Sequence, residues 1–146
     1  MQLKIKRLNQ AASLPQRATT GSAGMDLTAC IDEPLTVAPG QRVRIPTGIA
    51  IGLPSPETVA LVFARSGLAV KHGLALSNGV GVIDSDYTGE IQVGIINQSA
   101  DSYTVQPGER IAQLVVMPVC LPEILEVDSL DETERGAGGF GSTGRV

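Results

Sequence analysis

The sequence is poor in the residues on which several classes of protein depend. Its 146 residues include no Trp, only two Cys and one His, and aromatic residues make up 3% of the chain. Two thiols cannot build a disulfide framework or a four-thiolate zinc site. We therefore expect Cys30 and Cys120 to be small core residues in a reducing compartment. Because His72 is the single histidine, a mechanism based on a histidine pair or a Cys–His–Asp set is disfavoured.

Positive charge and long apolar segments are also scarce. The chain has 11 Lys and Arg against 15 Asp and Glu, which gives a net charge of −4. This balance argues against a general nucleic-acid-binding protein, because such proteins usually present a basic surface. No apolar run approaches the roughly 18 residues that span a membrane, and residues 1–6 alternate as in a strand rather than forming a signal peptide. The prediction is a cytoplasmic protein with neither nucleic acid nor membrane as a partner.

Short β-rich runs separated by turns make up most of the sequence. Seventeen Gly and nine Pro are spread along it, and hydrophobic residues account for 42%. The predicted strands are Gln2–Leu8, Gln41–Ile45, Gly48–Gly52, Thr58–Phe63, Ile91–Asn97, Ser102–Val105 and Arg110–Val119. Many short strands at this spacing predict an all-β sandwich or barrel. The one predicted helix is short and covers Ser66–Lys71, with Ser66 placed to cap its N-terminus.

A change in composition near residue 120 predicts two parts of the chain. Acidic residues crowd the stretch from 123 to 134, and glycines dominate the stretch from 136 to 144. We expect a compact body over residues 1–120 and a flexible arm over residues 121–146. A disordered tail without function is the competing interpretation, because such a composition offers little apolar surface to a core.

The arm contains a candidate phosphate-binding segment. Gly136–Gly141 matches the spacing G-x-G-x-x-G, but too few residues follow for the helix that this motif and the P-loop both require. Glycines without a Cβ still allow backbone N–H groups to surround an anion. Arg135, Ser142 and Thr143 would add further donors to such a site.

Three segments of the body also carry candidate site residues. Arg65 and Ser66 open the predicted helix, which suits phosphate binding, although a capped helix with a solvated arginine has the same pattern. Asp84 lies in a predicted β-hairpin whose backbone can bind a planar base edge, and it is either a general base or an ordinary turn residue. Asp26, among small and apolar residues, is expected to pair either with metal-bound water or with an arginine.

The order of these segments carries a family resemblance that no single segment would support. A turn leading into a strand, Pro107–Leu114, adds Arg110 and Gln113, which are otherwise ordinary surface residues. In sequence order, the chain resembles the trimeric dUTP diphosphatases in their five motifs, at Ala23–Leu27, Ala64–Leu68, Asn78–Glu90, Gly108–Leu114 and Arg135–Gly144. One departure is Ala64, where many members of the family have proline before Arg-Ser-Gly.

The resemblance implies a fold, a reaction and a set of partners. Members of this family are homotrimeric jelly-roll proteins that use Mg²⁺ to cleave dUTP to dUMP and pyrophosphate, which lowers dUTP and supplies dUMP for thymidylate synthesis. Each of their sites combines motifs from different subunits, and the glycine-rich arm closes over it. The expected fold is therefore a jelly roll, or distorted β-barrel, with one short helix and a C-terminal arm.

The resemblance also assigns roles to individual residues. Asp84 matches the acid that activates the attacking water, and Asp26 matches an acid that either supports the metal waters or orients the arginine of the second motif. The residues that match triphosphate contacts are Arg65, Ser66, Gly67, Gln113, Arg135, Ser142 and Thr143. The residues that match uracil and deoxyribose contacts are Asn78, Gly79, Val82, Tyr87 and Phe140. Tyr87 would exclude a 2′-hydroxyl, and Phe140 would cover the uracil ring.

Two other functions remain open from the sequence. A dCTP deaminase, or a bifunctional deaminase and dUTPase, would share the fold, but no separate acid–base set for deamination is visible. A non-catalytic protein that senses nucleotides would not need Asp84 or the arm. Ammonia release from dCTP and pyrophosphate release from dUTP distinguish these alternatives.

Overall fold

A computed structural model describes residues 2–139 of the chain, and this part contains ten strands and one short helix. The elements are, in order, β1 (Lys4–Arg7), β2 (Met25–Thr28), β3 (Leu35–Val37), β4 (Arg42–Gly52), β5 (Thr58–Ala64), α1 (Ser66–His72), β6 (Leu74–Leu76), β7 (Gly81–Ile83), β8 (Glu90–Asn97), β9 (Tyr103–Val105) and β10 (Arg110–Pro118). The predicted all-β class with one short helix is confirmed. The short strands β2, β3 and β6 were not predicted, because three or four residues carry too little periodicity.

Two four-stranded antiparallel sheets face each other, and a two-stranded ribbon accompanies them. The first sheet has the order β1-β4-β8-β6, the second has the order β2-β10-β5-β7, and β3 pairs with β9. Neighbours in each sheet are mostly distant in sequence, as in the pairing of β2 with β10. The order of the strands therefore depends on long-range packing and not on local turns.

The core fills the space between the two sheets. Alternation along β8 buries Ile91, Val93 and Ile95, while the residues between them are more exposed. The second sheet contributes Leu27 and Leu114, each no more than 1% exposed. Burying an aliphatic side chain of this kind stabilises the fold by about 1.5–3 kcal/mol. Branched aliphatic side chains therefore fill the core in place of aromatic ones.

One strand replaces two of the predicted ones. The runs expected at Gln41–Ile45 and Gly48–Gly52 form the single strand β4, in which the register with β8 shifts between Pro46 and Ala50. Gly48 has a φ of 68° there, and a Cβ at this position would lie 2.7 Å from Cys30 Sγ. The bulge therefore requires glycine, because a side chain would be both strained and blocked.

The helix lies where it was predicted but does not begin as predicted. Its N-cap residue is Arg65, which has an extended backbone and no side-chain capping bond, so the assignment of Ser66 as the cap was wrong. Ser66 is the first helical residue, and its hydroxyl is not used in capping. The helix ends at Gly73, whose φ of 67° is left-handed and whose N–H donates to the carbonyl of Ala69.

The predicted hairpin around Asp84 is not a pair of bonded strands. β7 pairs with β5 in the second sheet, whereas β8 pairs with β4 and β6 in the first sheet. The turn from Asp84 to Gly89 therefore crosses from one sheet to the other. Two apolar runs around a turn cannot show this difference, because each run pairs with a strand far away in sequence.

The cysteines differ from the expected pair of core residues. Cys30 is half-buried and packs against the core, but Cys120 is exposed. Burial raises the pKa of the Cys30 thiol, and the nearby carboxylates of Glu90 and Asp32 raise it further. Cys120 was wrongly predicted to be buried because the last strand ends before it, at Pro118.

After β10 the described chain, up to residue 139, forms no helix or strand. Its side chains from Cys120 onward are exposed, including the large apolar residues Leu121, Ile124, Leu125 and Leu130. The division into a body over residues 1–120 and an arm over residues 121–146 stays a prediction. Within residues 2–139, no helix is long and apolar enough to cross a membrane.

Candidate functional site

A first cleft lies at the outer face of the second sheet, at the start of α1. Its volume is about 380 Å³. It is lined by Ala18, Ser22, Ala23, Gly24, Asp26, Arg65, Ser66, Gly67 and Gln113. We call it the basic cleft after Arg65. Its lining brings together four of the predicted triphosphate contacts, Arg65, Ser66, Gly67 and Gln113, with Asp26.

Strand register brings these residues together. In the second sheet, Gln113 of β10 pairs with Asp26 of β2 on one side and with Phe63 of β5 on the other. Alternation turns Leu27 and Leu114 into the core, so Asp26 and Gln113 lie on the opposite face. Arg65 follows β5 directly and reaches the same face. Three segments separated by long stretches of sequence therefore meet at one place.

Asp26 forms ion pairs with two arginines. Its Oδ1 accepts from Arg65 Nε at 2.9 Å, and its Oδ2 accepts from Arg110 Nη1 at 3.1 Å. The Asp26 side chain is only 17% exposed and that of Arg65 is 27% exposed, so this pair is partly shielded from solvent. The Arg110 side chain is 56% exposed, which weakens the second pair by screening. Arg65 lines the cleft, whereas Arg110 lies beside it on the other oxygen of Asp26, so the cation that the lining offers to an anion is Arg65.

Gln113 is fixed by a close approach to the backbone. Its Nε2 donates to the carbonyl of Ala64 at 2.9 Å. A Cβ on Gly24 would lie 2.5 Å from Gln113 Oε1, so only glycine leaves room for the side chain in this position. Gly24 is therefore needed to leave space for the side chain of Gln113.

A second cleft, of about 430 Å³, opens between the two sheets. We call it the inter-sheet cleft. It is lined by Arg44, Val62, Leu76, Asn78, Gly81, Val82, Ile83, Tyr87, Glu90, Ile91, Gln92, Val93 and Gly94. Three of the predicted nucleoside contacts, Asn78, Val82 and Tyr87, belong to this lining. Gly79 lies in the adjoining turn with a φ of 74°, which explains why a glycine stands there.

Tyr87 is held at the edge of the inter-sheet cleft. Its hydroxyl donates to the carbonyl of Glu90 at 2.9 Å. The ring lies so close to Gly89 that a Cβ there would come within 2.5 Å of the hydroxyl oxygen. Asp84 follows the last residue of β7, is exposed and lines neither cleft, and its backbone carbonyl accepts from the backbone N–H of Tyr87 at 3.2 Å. Asp84 and Tyr87 therefore belong to one short turn at this cleft.

Three contributions to these clefts were not expected from the sequence. Arg44 and Gln92 line the inter-sheet cleft from outward positions on β4 and β8. Glu90, expected only as the end of a segment, accepts from the N–H of Gly48 at 2.9 Å and from Gln92 Nε2 at 3.0 Å. No local signal identifies these residues, because polar side chains at outward strand positions are ordinary.

The two clefts share no lining residue within residues 2–139. The structure thus groups the predicted phosphate contacts in one cleft and the predicted nucleoside contacts in the other. Arg135 is exposed and forms neither of the two ion pairs found in this part of the chain. Phe140, Ser142 and Thr143 lie outside the described residues.

No protein-built metal centre is present in the described range. Residues 2–139 contain no group of three or more His, Cys, Asp or Glu side chains close enough to hold an ion. The largest pKa change in this range belongs to Tyr103, which lines neither cleft. Burial and a hydrogen bond to Glu109 raise the pKa of Tyr103 to about 12.

Comparison with known proteins supplies the family. A family model described as dUTPase matches residues 10–144 of the chain. The chain belongs to the dUTPase family. A deoxyuridine 5′-triphosphate nucleotidohydrolase of Desulfitobacterium hafniense is 60% identical, with 97% of each chain covered. A protein of the same name from Idiomarina loihiensis is 53% identical, with 95% of this chain and 92% of that one covered.

A solved structure agrees with the fold. A mutant of the Staphylococcus bacteriophage 80alpha dUTPase, solved with dUpNHpp, superposes with a TM-score of 0.89 at 29% identity, covering 98% of each chain. The resemblance noted in the five segments is thereby confirmed, and so is the dUTPase-like fold.

Proposed function

We propose that this dUTPase hydrolyses dUTP to dUMP and pyrophosphate, using both clefts of the body and the arm. The similarity to nucleotidohydrolases over nearly the full chain supports the reaction. The observation that carries the placement of the substrate is the pairing of Asp26 with Arg65 in a cleft that also contains Ser66, Gly67 and Gln113. The basic cleft would take the triphosphate, and the inter-sheet cleft would take uracil and deoxyribose.

In the basic cleft, the proposed phosphate donors are Arg65, Ser66, Gly67 and Gln113. Asp26 binds Arg65 through Nε, which leaves the two terminal nitrogens of the guanidinium available for phosphate oxygens. One of these nitrogens is 3.4 Å from the carbonyl of Arg110, a long contact that a phosphate could replace. This arrangement favours the arginine-orienting role for Asp26 over the metal-water role.

At the inter-sheet cleft, Asp84 is the proposed general base. Its carboxylate is exposed and belongs to neither ion pair of residues 2–139, so it is available to accept a proton from water. Tyr87, held by Glu90 and Gly89, would present its ring to the sugar and exclude a 2′-hydroxyl. Asn78, Gly79 and Val82 would contact uracil, mainly through the backbone of the turn.

A complete site is proposed to need more than one copy of the chain, in a homotrimer. One chain holds the two groups of contacts in clefts that share no lining residue, which agrees with a nucleotide that bridges two subunits. Arg135, Phe140, Ser142 and Thr143 of the arm would then complete the phosphate and uracil contacts. The exposed apolar residues Ile124 and Leu125, 99% and 82% exposed, would gain a surface in such an assembly.

Mg²⁺ is the proposed cofactor, and we expect the substrate phosphates and water, more than protein carboxylates, to hold it. Magnesium keeps several waters and favours substrate phosphates over an all-protein cage. The absence of a carboxylate cluster in residues 2–139 agrees with an ion held by phosphates and water. When bound, Mg²⁺ would neutralise phosphate charge. The cytoplasmic location stays a prediction.

The proposal is tested by the products. Purified protein is incubated with Mg²⁺ and dUTP, UTP or dCTP, and pyrophosphate and ammonia are measured. Pyrophosphate from dUTP alone supports the proposal. Ammonia from dCTP would indicate a deaminase, and binding of dUTP without any product would indicate a nucleotide sensor.

A further inference from the structure

Arg17 forms a clasp inside the segment that precedes β2. Its Nη1 donates to the carbonyl oxygen of Ser22 and, at 2.8 Å, to that of Ala23. Arg17 was not among the residues singled out from the sequence, because an arginine before a polar turn has no distinctive pattern. Both acceptors are backbone carbonyl oxygens, so the types of the residues that carry them do not predict these hydrogen bonds.

The clasp is one of several hydrogen bonds that order this loop. Within the loop, the N–H of Thr19 and the hydroxyl of Thr19 both contact Ser22 Oγ, at 3.1 and 3.0 Å. The N–H of Ser22 donates to the carbonyl of Thr19 at 3.1 Å. These bonds shape the tip of the loop. At its base, the N–H of Asp26 donates to the carbonyl of Gln16 at 2.8 Å, and Arg17 adds a second tie between the beginning and the end of the loop.

The loop is one wall of the basic cleft. Ala18, Ser22, Ala23 and Gly24 line the cleft together with Arg65 and Ser66. The last of them, Gly24, is the residue against which Gln113 packs. A shift of the loop would therefore change both the width of the cleft and the position of Gln113.

We propose that Arg17 is a positioning residue that holds the Ala18–Gly24 loop as a wall of the basic cleft, so that affinity for the triphosphate depends on it. This inference rests on the proposed role of the cleft. Arg17 does not line the basic cleft itself but lines an adjoining cleft with Ala18 and Asp26, and its Nη1 donates to two carbonyls of the loop. It should therefore affect phosphate binding without affecting nucleoside binding or the fold.

The experiment compares ligands with and without phosphates in Arg17→Ala, Arg17→Lys and the wild type. The probes are α,β-imido-dUTP, measured by calorimetry with Mg²⁺, and deoxyuridine, measured as a competitive inhibitor. The Kd of α,β-imido-dUTP and the KM of dUTP should rise roughly tenfold in Arg17→Ala, since one charge-assisted contact corresponds to about an order of magnitude. The Ki of deoxyuridine and the Tm should stay unchanged, because the clasp is exposed and local.

Two variants serve as controls. Arg17→Lys keeps the charge and can reach one carbonyl, so it should recover part of the affinity. Arg42→Ala removes an exposed arginine that forms neither ion pair of residues 2–139 and lines neither cleft, and it should behave as the wild type. Arg17→Lys also serves as the test variant if Arg17→Ala does not fold.

The outcomes separate this inference from the proposed function. Equal loss of affinity for both probes, or a lower Tm with unchanged affinities, would show that Arg17 only supports the fold. Unchanged binding of α,β-imido-dUTP would show that the wall holds without the clasp. If the wild type itself binds α,β-imido-dUTP no better than deoxyuridine, the proposed role of the basic cleft fails before any variant is compared.

Discussion

Replacing Asp26 by asparagine tests the arrangement on which the basic cleft depends. The change keeps the size of the side chain but removes the charge from contacts of 2.9 and 3.1 Å to Arg65 and Arg110. Asparagine has one acceptor and one donor group, so it can keep Arg65 Nε as a partner only by turning its amide N–H towards Arg110. One contact keeps its charged donor but loses the attraction between opposite charges, and the other contact is lost.

The expected effect on stability follows from the exposure of the two pairs. The Arg65 contact remains a hydrogen bond from a charged donor, so what it loses is the ion-pair attraction, about 1 kcal/mol for a partly shielded pair. The largely exposed Arg110 contact loses less because solvent screens it. The free energy of unfolding should fall by about 1–2 kcal/mol, which lowers the Tm by about 2–4 °C per kcal/mol in a domain of this size.

The expected effect on activity separates the two roles considered for Asp26. Because the neutral amide orients Arg65 less firmly than the carboxylate, Arg65 should bind phosphate less well, and the KM for dUTP should rise about tenfold, equivalent to roughly 1.4 kcal/mol. Steady-state kinetics across a range of Mg²⁺ concentrations and a thermal melt measure both quantities. Arg110→Ala is the matched control, because it removes one partner and leaves the contact between Asp26 and Arg65 in place.

Two results would refute this reasoning. A wild-type KM and Tm in Asp26→Asn would mean that the paired arginines contribute nothing to the cleft. A normal KM at saturating Mg²⁺, together with a higher requirement for Mg²⁺, would assign Asp26 to the metal waters and not to Arg65. Arg110→Ala should change the KM less than about threefold, since the exposed pair is screened.

The remaining predictions concern the inter-sheet cleft and the arm. Asp84→Asn should lower kcat by about 10²–10⁴-fold while α,β-imido-dUTP still binds by calorimetry, and turnover within a few-fold of the wild type would exclude Asp84 as the base. Tyr87→Ala should narrow the ratio of kcat/KM between dUTP and UTP, because the ring no longer blocks a 2′-hydroxyl, and an unchanged ratio would place sugar selection elsewhere. Truncation after Glu134 should leave the Tm and the number of subunits, measured by sedimentation, unchanged but severely reduce turnover, and full turnover without residues 135–146 would show that this segment is only a tail.

Local pattern was sufficient for some elements and insufficient for others. The helix after β5 was located correctly, because the apolar run, the Arg-Ser-Gly turn and Gly73 bound it within the sequence. Ser66 was assigned as its cap because serine favours that position, yet the backbone of Arg65 is the extended one. Residue preferences favour serine as an N-cap, but the N-cap is the residue whose backbone is still extended when the helix begins, and here that residue is Arg65.

The sequence by itself determined the class and the family of this protein. Aliphatic runs that alternate with polar residues between glycine and proline turns predict strands with one buried face and therefore an all-β fold. The five segments, in their order, identify the dUTPase family without knowledge of any contact. Asp84, Tyr87 and Arg65 were named in this way, since a motif preserves residue types in order.

Only the tertiary structure decided which residues meet. The two oxygens of Asp26 are shared between arginines that lie 39 and 84 residues away, and Glu90 closes the bulge at Gly48. The clasp of Arg17 on two carbonyls depends on a turn whose partners are backbone atoms. Such contacts are set by strand register and by the packing of two sheets, and both are global properties, so no local stretch of sequence encodes them.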